Sequence, residues 1–564
     1  MKKVGILLLL ALLYSCNNND VPIIDNPSGL ADSIVIIRSG WDFSLPNYVV
    51  PASNGTINIM KESKPWGLKG NVIKRYDVIW SAVEPQMGIY KFDEVAQAIK
   101  DMVQSEKLYG VELSVRGATA RVEFPGTSRV EAGTAPSWVI AKYNLPEIPF
   151  EGSSSKVVGI PIWNQGYRTE YLKFIDALKK SGIPQMPEVK SCYVHAISNS
   201  RGEEVNMSYD DLVWCEQNTE LTPTVFESTM RERFEAMAAA FANCEYKLMW
   251  VGDGADNFYK SVSSRLISYA YELGMGQRCG NIEKYLYRTT NSNLGQSVDT
   301  EGYLTVNEDV IPIKESRNFG DENEEYSPSD EDSFGPIEGF PYRYKESMLR
   351  ALQMRRSTIW ISGNSFKMDT ALTNYVSLSL AKNVTNTPDA WVYLRESYLK
   401  PNTMGGIKPV KNFERWMYQR DKTGYKTVAC EIMMLDKTLQ SSGVIDPERR
   451  YNNTARRTDI ASGNTKIGFA IDDRFTANYN GNIEIKVSYF DKGLGTISLN
   501  YKDKSNNLKS QTIECKNSSE CKTVSFKLKN NYSFVAVNQD FDFEIEAKKT
   551  DAIISFVRII KMTK

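Results

Sequence analysis

The feature that most constrains this chain is a change of period that keeps recurring: between about residues 31 and 400, short β-prone runs alternate with amphipathic helical segments. The runs expected as strands are Ser33 to Ile37, Asn71 to Ile79, Tyr109 to Val115, Val189 to Ile197, Lys247 to Val251, Gln277 to Ile282, Ser333 to Ile337 and Thr358 to Ile361. Helices are expected between them. Phe92 to Ser105 carries Val95, Ile99, Met102 and Val103 on one face, and Pro223 to Asn243 carries Met230, Phe234, Met237 and Phe241. Further helical patterns cover Thr169 to Lys180, Ser261 to Leu273, Tyr344 to Met354 and Thr370 to Ala381. Strands and helices in this order predict an α/β fold, a (β/α)8 TIM barrel, with an open doubly wound sheet as the alternative. The long acidic stretch from Tyr285 to Asp332 reads as a functional insertion or a lid.

Beyond residue 400 the pattern changes. Pro401 to about residue 455 reads as a connector packed on the barrel, with Trp416, Tyr418 and a strand at Thr427 to Met433. From residue 456 to 564 the period becomes two, in Lys466 to Ile471, Asn482 to Tyr489, Gly495 to Tyr501, Ser510 to Glu514, Thr523 to Lys527, Phe541 to Glu546 and Ile553 to Ile560. Short alternating strands separated by turn residues argue for a β-sandwich. It resembles the jelly-roll modules appended to many polysaccharidases, which bind glycan or buttress the barrel.

At 564 residues with 41% hydrophobic content the chain can bury more than one core, and a net charge of −1 without a basic block argues against nucleic acid as a partner. Lys2 and Lys3 precede the apolar run Val4 to Leu13, too short to span a bilayer, so residues 1–16 are expected to be a signal peptide. Leu13-Tyr14-Ser15-Cys16 resembles the lipobox of bacterial lipoproteins. That resemblance implies lipidation of Cys16, a tether over residues 17–30, and attachment to the cell envelope, outer membrane included, facing periplasm or exterior. In that compartment disulfides are permitted, and Cys515 with Cys521, flanking a hairpin-like tip, is the expected bridge; Cys192, Cys215, Cys244, Cys279 and Cys430 read as buried thiols. With no CxxC pair and only His195 as histidine, the reading calls for no metal and no cofactor.

In a barrel of this type, chemistry collects beyond the C-terminal ends of the strands. The run from Val189 opens there into Ser198-Asn199-Ser200-Arg201-Gly202-Glu203-Glu204, two carboxylates and a guanidinium at a strand mouth, or an ordinary solvated loop. Trp80, Glu84, Pro85, Gly88, Tyr90, Phe92 and Asp93, in WSAVEPQMGIYKFDE, resemble the segment after the second barrel strand of retaining glycoside hydrolases, nearest the family 42 β-galactosidases and their clan A relatives. Arg116, Pro136-Ser137-Trp138 and Pro161-Ile162-Trp163-Asn164 resemble the same group.

The resemblance implies an acid/base glutamate at the end of strand four and a nucleophile at the end of strand seven. On this sequence these are Glu203, with Glu204 as its rival, and Glu338 in Phe334-Gly335-Pro336-Ile337-Glu338. Gly202 stands where clan A enzymes place Asn before the acid/base, and a Gly-Glu pair there looks more like inverting β-amylase. Carboxyls about 5 to 5.5 Å apart would imply retention and about 6.5 to 9.5 Å inversion. Trp41, Trp80, Glu84, Arg116, Trp163, Asn199, Arg201, Asp253 and Tyr342 are the expected substrate-binding residues. Each has a plainer reading: Asp253 and Asp256 sit in a Gly-Asp-Gly turn, and Glu84 can anchor its loop. His195 can be a core histidine, while Glu308, preceded by Asn307, imitates the clan A pair between strands six and seven.

The function expected is hydrolysis of β-galactosidic or related linkages in an extracellular polysaccharide, with a poly- or oligosaccharide as the partner. Arg38, Arg75, Arg116 and Arg121 hint at a sulfated galactan, or else at ion pairs with barrel carboxylates. The rival class is a surface lipoprotein that binds glycan without cleaving it. A lyase would want a Tyr or Lys base and a metal cluster, for which the sequence offers no placement.

Overall fold

The structure, a computed structural model, describes residues 23–24, 33–44, 54–59, 67–124, 126–150, 156–198, 207–251, 259–280, 282–283, 295–330, 337–396, 410–433, 453–477, 479–528 and 532–562. Eight parallel strands close into a barrel: β1 Thr56–Asn58, β2 Asn71–Ile79, β3 Gly110–Arg116, β4 Val189–Tyr193, β5 Leu248–Val251, β6 Gly276–Cys279, β7 Phe319–Asn323 and β8 Thr358–Ile361. The ring closes where Trp360 of β8 pairs with Asn58 of β1. Two of these strands are not those the sequence pattern picked. Ser33–Ser39 lies outside the barrel altogether, and β1 is the three-residue Thr56–Asn58. Strand seven is Phe319–Asn323 rather than Ser333 to Ile337, whose last residue begins the short turn Ile337–Gly339.

Helices coat the barrel as their apolar spacing requires. In Gln165–Ser181, Tyr167, Tyr171, Phe174, Ile175 and Leu178 recur at helical period and are buried against Trp80 and Phe92. The Asn164 side chain caps its start by accepting from the N–H groups of Gly166 and Tyr167, and Gly182, at φ 72°, ends it in the left-handed conformation. Pro223–Ala240 opens with a Thr222 cap and proline in its first turn. An antiparallel insertion after β3, of Thr119–Glu123, Val130–Ala132, Ile148–Pro149 and Lys156–Gly159, stands at the C-terminal end of the barrel.

Two antiparallel sheets follow and share one core, in which Val392, Phe469, Ile485, Leu499, Phe526, Phe543 and Val557 meet. The first runs in the order Ile23–Ile24, Ser33–Ser39, Cys521–Leu528, Ile483–Phe490, Ile553–Lys561, Asp389–Glu396, Lys411–Arg415, with the pair Val428–Met433 and Asn453–Arg457 attached at Ile553–Lys561. The second is Met417–Gln419, Lys466–Ile471, Phe543–Lys548, Thr496–Lys502, Leu508–Glu514. Much of the expected connector is therefore sheet, and Ser33–Ser39 pairs from Ser33 with Leu528 to Ser39 with Lys522. The expected disulfide is absent: Cys515 and Cys521 are both free thiols. Cys515 follows Leu508–Glu514 in one sheet while Cys521 starts a strand of the other, so the tip between them bridges sheets rather than closing a hairpin.

Barrel and sandwich are packed into one another. The helix Phe340–Gln353 is buried on nearly every side, with β7 and the helix Thr370–Ser379 on its barrel flank and Lys411–Arg415 on the other. Arg395 from the sandwich reaches Glu346 of that helix at 3.3 Å, both fully buried. Trp41, Phe43, Tyr375 and Phe556 form a ring cluster across the same junction. Glu308 belongs here too: it accepts from Arg355 Nε at 2.7 Å and Trp416 Nε1 at 2.6 Å, tying the β6 to β7 insertion to the sandwich. Its role is that of a clamp, not of a strand-end catalyst.

Candidate active site

Alternation along each barrel strand sorts its side chains. Val111, Leu113, Val115, Cys192, Val194, Leu248 and Trp250 face the helices, as do Ile57, Val72, Ile359 and Ile361. The residues between them fill the lumen, and many are polar. Tyr193 of β4, Met249 of β5 and Trp360 of β8 meet across it. Glu112 of β3 stands below them, its Oε1 accepting from Trp360 Nε1 at 3.0 Å and its Oε2 from Ser191 Oγ at 3.2 Å. Burial pushes this carboxyl up, against the pull of Arg278 and Arg75.

Nearer the C-terminal mouth, Asp77 of β2 accepts from Arg75 Nε at 2.8 Å and lies 3.7 Å from Arg116 Nη1. Glu322 of β7 pairs with Arg278 of β6, whose guanidinium lies 4.8 Å from the centroid of the Trp360 ring and 5.0 Å from that of Tyr193. His195 Nε2 is 2.7 Å from Ser114 Oγ, its ring edge-on to Tyr193 at 4.5 Å between centroids. The histidine carbonyl accepts from Arg233 Nη2 at 3.2 Å. Three guanidiniums, Arg75, Arg116 and Arg278, thus face three carboxylates, Asp77, Glu112 and Glu322, in one lumen.

Of the residues the sequence pointed to, Arg75, Arg116 and His195 line this lumen. Glu203, Glu204, Asn199, Arg201, Asp253 and Asp256 lie outside the described residues, as does Cys16. Glu338 sits in the turn Ile337–Gly339 that leads into the helix Phe340–Gln353, and its side chain is outside what the structure describes. Trp80 and Glu84 come together, but on the helix side of the wall. Trp80 stacks on Phe174 at 5.4 Å and donates from Nε1 to Glu84 Oε2 at 2.7 Å, while Glu84 Oε1 accepts from Gly88 N at 2.8 Å. With exposures of 0% and 2%, the pair anchors the turn and offers a substrate nothing. Trp163 is equally buried, its Nε1 donating to Thr219 Oγ1 at 3.0 Å. Trp41 and Tyr342 meet around Lys345 at the sandwich junction, Trp41 with its centroid 3.6 Å from the ammonium.

Glu112, Arg278, Glu322 and Trp360 were not legible as site residues. Phe319-Gly320-Asp321-Glu322-Asn323 has no β-branched residue and opens an acidic run, so its strand reads as loop. The hints of an anionic substrate resolve as ion pairs: Arg75 and Arg116 with Asp77, Arg121 with Glu123 and Glu147, and Arg38 with Asp42.

No family model matches the chain, and no curated protein matches it. Among 81 solved chains that match is an exo-β-1,4-mannosidase from Opitutaceae bacterium strain TAV5, 11% identical, with a TM-score of 0.26 over 51% of this chain and 38% of that one. A Cryptosporidium parvum pyruvate kinase matches at 10% identity and a TM-score of 0.22, covering 60% of this chain and 69% of its own. A Paenibacillus cycloisomaltooligosaccharide glucanotransferase matches at 8% identity and a TM-score of 0.21, over 94% of this chain and 61% of its own. This chain spans about two fifths of the mannosidase, and likenesses this distant carry no argument about activity.

Proposed function

We propose that the chain is a barrel glycoside hydrolase that cleaves β-galactosidic or related linkages with two carboxylates. The observation that supports this reading is Glu322, a carboxylate turned inward at the end of β7 and paired with Arg278 beside the Trp360 ring. Acetal cleavage needs a charged carboxylate facing the oxocarbenium-like carbon and a proton donor on the leaving oxygen. The clan A resemblance gives the first role to the end of strand seven. Because that strand is Phe319–Asn323, the role passes from Glu338 to Glu322. Glu203 or Glu204, which follow β4 in sequence, is the proposed donor. A neutral galactoside fits better than a sulfated one, since the lumen's guanidiniums already hold carboxylates. The lipobox-like Cys16 makes the enzyme a lipid-anchored envelope protein in this reading.

Product analysis against neutral and sulfated galactans tests the assignment. Glu322→Gln should lower turnover by about a thousandfold or more, as should one of Glu203→Gln and Glu204→Gln. Full activity in Glu322→Gln with loss in Glu338→Gln would return the nucleophile to Glu338. A Cys16→Ser protein should leave the membrane fraction.

A further inference from the structure

On the outside of the barrel, away from the lumen, the start of the helix Phe92–Ser105 and the later turns of Gln165–Ser181 flank a groove of 730 Å³. Tyr90, Phe92, Asp93, Asp176, Lys180 and Ser181 line it. The aromatic pair is nearly parallel, with centroids 5.8 Å apart and planes at 20°. Tyr90 is held in place by the turn before it: Ile89 N donates to Gln86 O at 3.0 Å and Lys91 N to Val83 O at 2.9 Å. Burial, and then the Glu84 carboxylate to which its hydroxyl bonds, pushes that phenol up to about 12, so it stays a neutral, oriented ring.

We propose that this groove binds one or two pyranose units of an uncharged glycan. A sugar has an apolar C–H face and a hydroxyl rim, and the groove offers the matching pair of surfaces: the half-buried Tyr90 ring, then the carboxylates of Asp93 and Asp176 beyond it. Asp93 is exposed in the first helical turn and makes no ion pair among the described residues, which leaves both its oxygens for neighbouring hydroxyls. The amines carry no free field. Lys180 is held by Asp176 at 2.6 Å and Lys173 by Glu170 at 3.1 Å, which disfavours a phosphate or sulfate group. The charged rim disfavours an apolar peptide or lipid. The site goes beyond the hydrolase reading, because retention on a polymer needs no cleavage.

The test is electrophoresis of the full chain through native gels containing dissolved neutral galactan, mannan or glucan. At least one polymer should retard the protein, and Asp93→Ala and Tyr90→Ala should each weaken the apparent affinity by about tenfold. Glu272→Gln, an exposed change at the end of the helix Lys260–Glu272 and outside both groove and lumen, should be retarded as strongly as the parent. Asp93 is on the surface, so its variant keeps the test sound if Tyr90→Ala misfolds. Absence of retardation by every neutral polymer, parent-like retardation of both groove variants, or equal loss in Glu272→Gln would overturn the site. Retardation without any cleavage would sink the hydrolase reading and leave the groove standing.

Discussion

Trp360 Nε1 donates to Glu112 Oε1 at 3.0 Å, joining β8 to β3 straight across the lumen rather than around its wall. The carboxylate is fully enclosed, so deleting its donor leaves a buried acceptor short of a partner. Trp360→Phe should lower unfolding free energy by about 2 kcal/mol. A double-mutant cycle with Glu112→Gln, read by urea denaturation, should show coupling; strict additivity would mean that the bond contributes nothing.

Glu283, between β6 and β7, is buried against Tyr326, Arg343 and the backbone of Glu324 and Glu325. Burial, with Glu325 adding to it, pushes its carboxyl up to about 8 from 4.5. The folded protein therefore holds a proton that the unfolded chain releases between those values, and stability falls as pH rises through that window. Glu283→Gln should flatten the decline and gain on the order of 2 kcal/mol at pH 7, seen as melting temperatures that no longer drop from pH 5 to 8.

The opposite sign belongs to Asp42. Burial would raise its carboxyl, but Lys486 at 2.6 Å and Ser44 outweigh that and bring it down to about 2 from 3.8. Its contribution is complete above about pH 4 and is lost as pH falls toward 2. Asp42→Asn should remove roughly 2 kcal/mol at pH 6 and little at pH 2. An equal loss at both values would refute the linkage.

Glu346 and Arg395 test whether barrel and sandwich unfold together. Removing one partner of a fully buried pair strands the other charge, so Glu346→Ala should cost about 3 kcal/mol or more. Calorimetry of the parent should give one transition, and the variant should split it in two. Two well-separated transitions in the parent would mean that the junction does not couple the bodies.

Most of the barrel was legible because β5 and β8 carry short apolar runs, and β2, β3 and β4 keep β-branched or other apolar residues on the face turned to the helices, all between turn signals. What failed was short or polar. Thr56–Asn58 is three residues long, and the continuous apolar run Ile34-Val35-Ile36-Ile37 in Ser33–Ser39 is the stronger strand signal. Local pattern reports periodicity, and it does not say which sheet a strand joins. The same limit applies to the site. WSAVEP was readable as a structured turn, yet whether Trp80 faces sugar or helix depends on packing partners as distant as Phe174. Glu112 and Arg278 were hidden because inward polar residues on barrel strands look, in one dimension, like solvated ones.

The pairing of Ser33–Ser39 with Cys521–Leu528 has a consequence for the order of assembly. A ribosome delivers the first of these ribbons long before the second, and the whole barrel is made in the interval. The early ribbon, with only Ile23–Ile24 beside it, has to wait for this partner while β1 to β8 emerge behind it. Closure of the junction that holds Trp41 and Phe43 is therefore set by the moment at which Cys521–Leu528 and Phe556 come free of the ribosome.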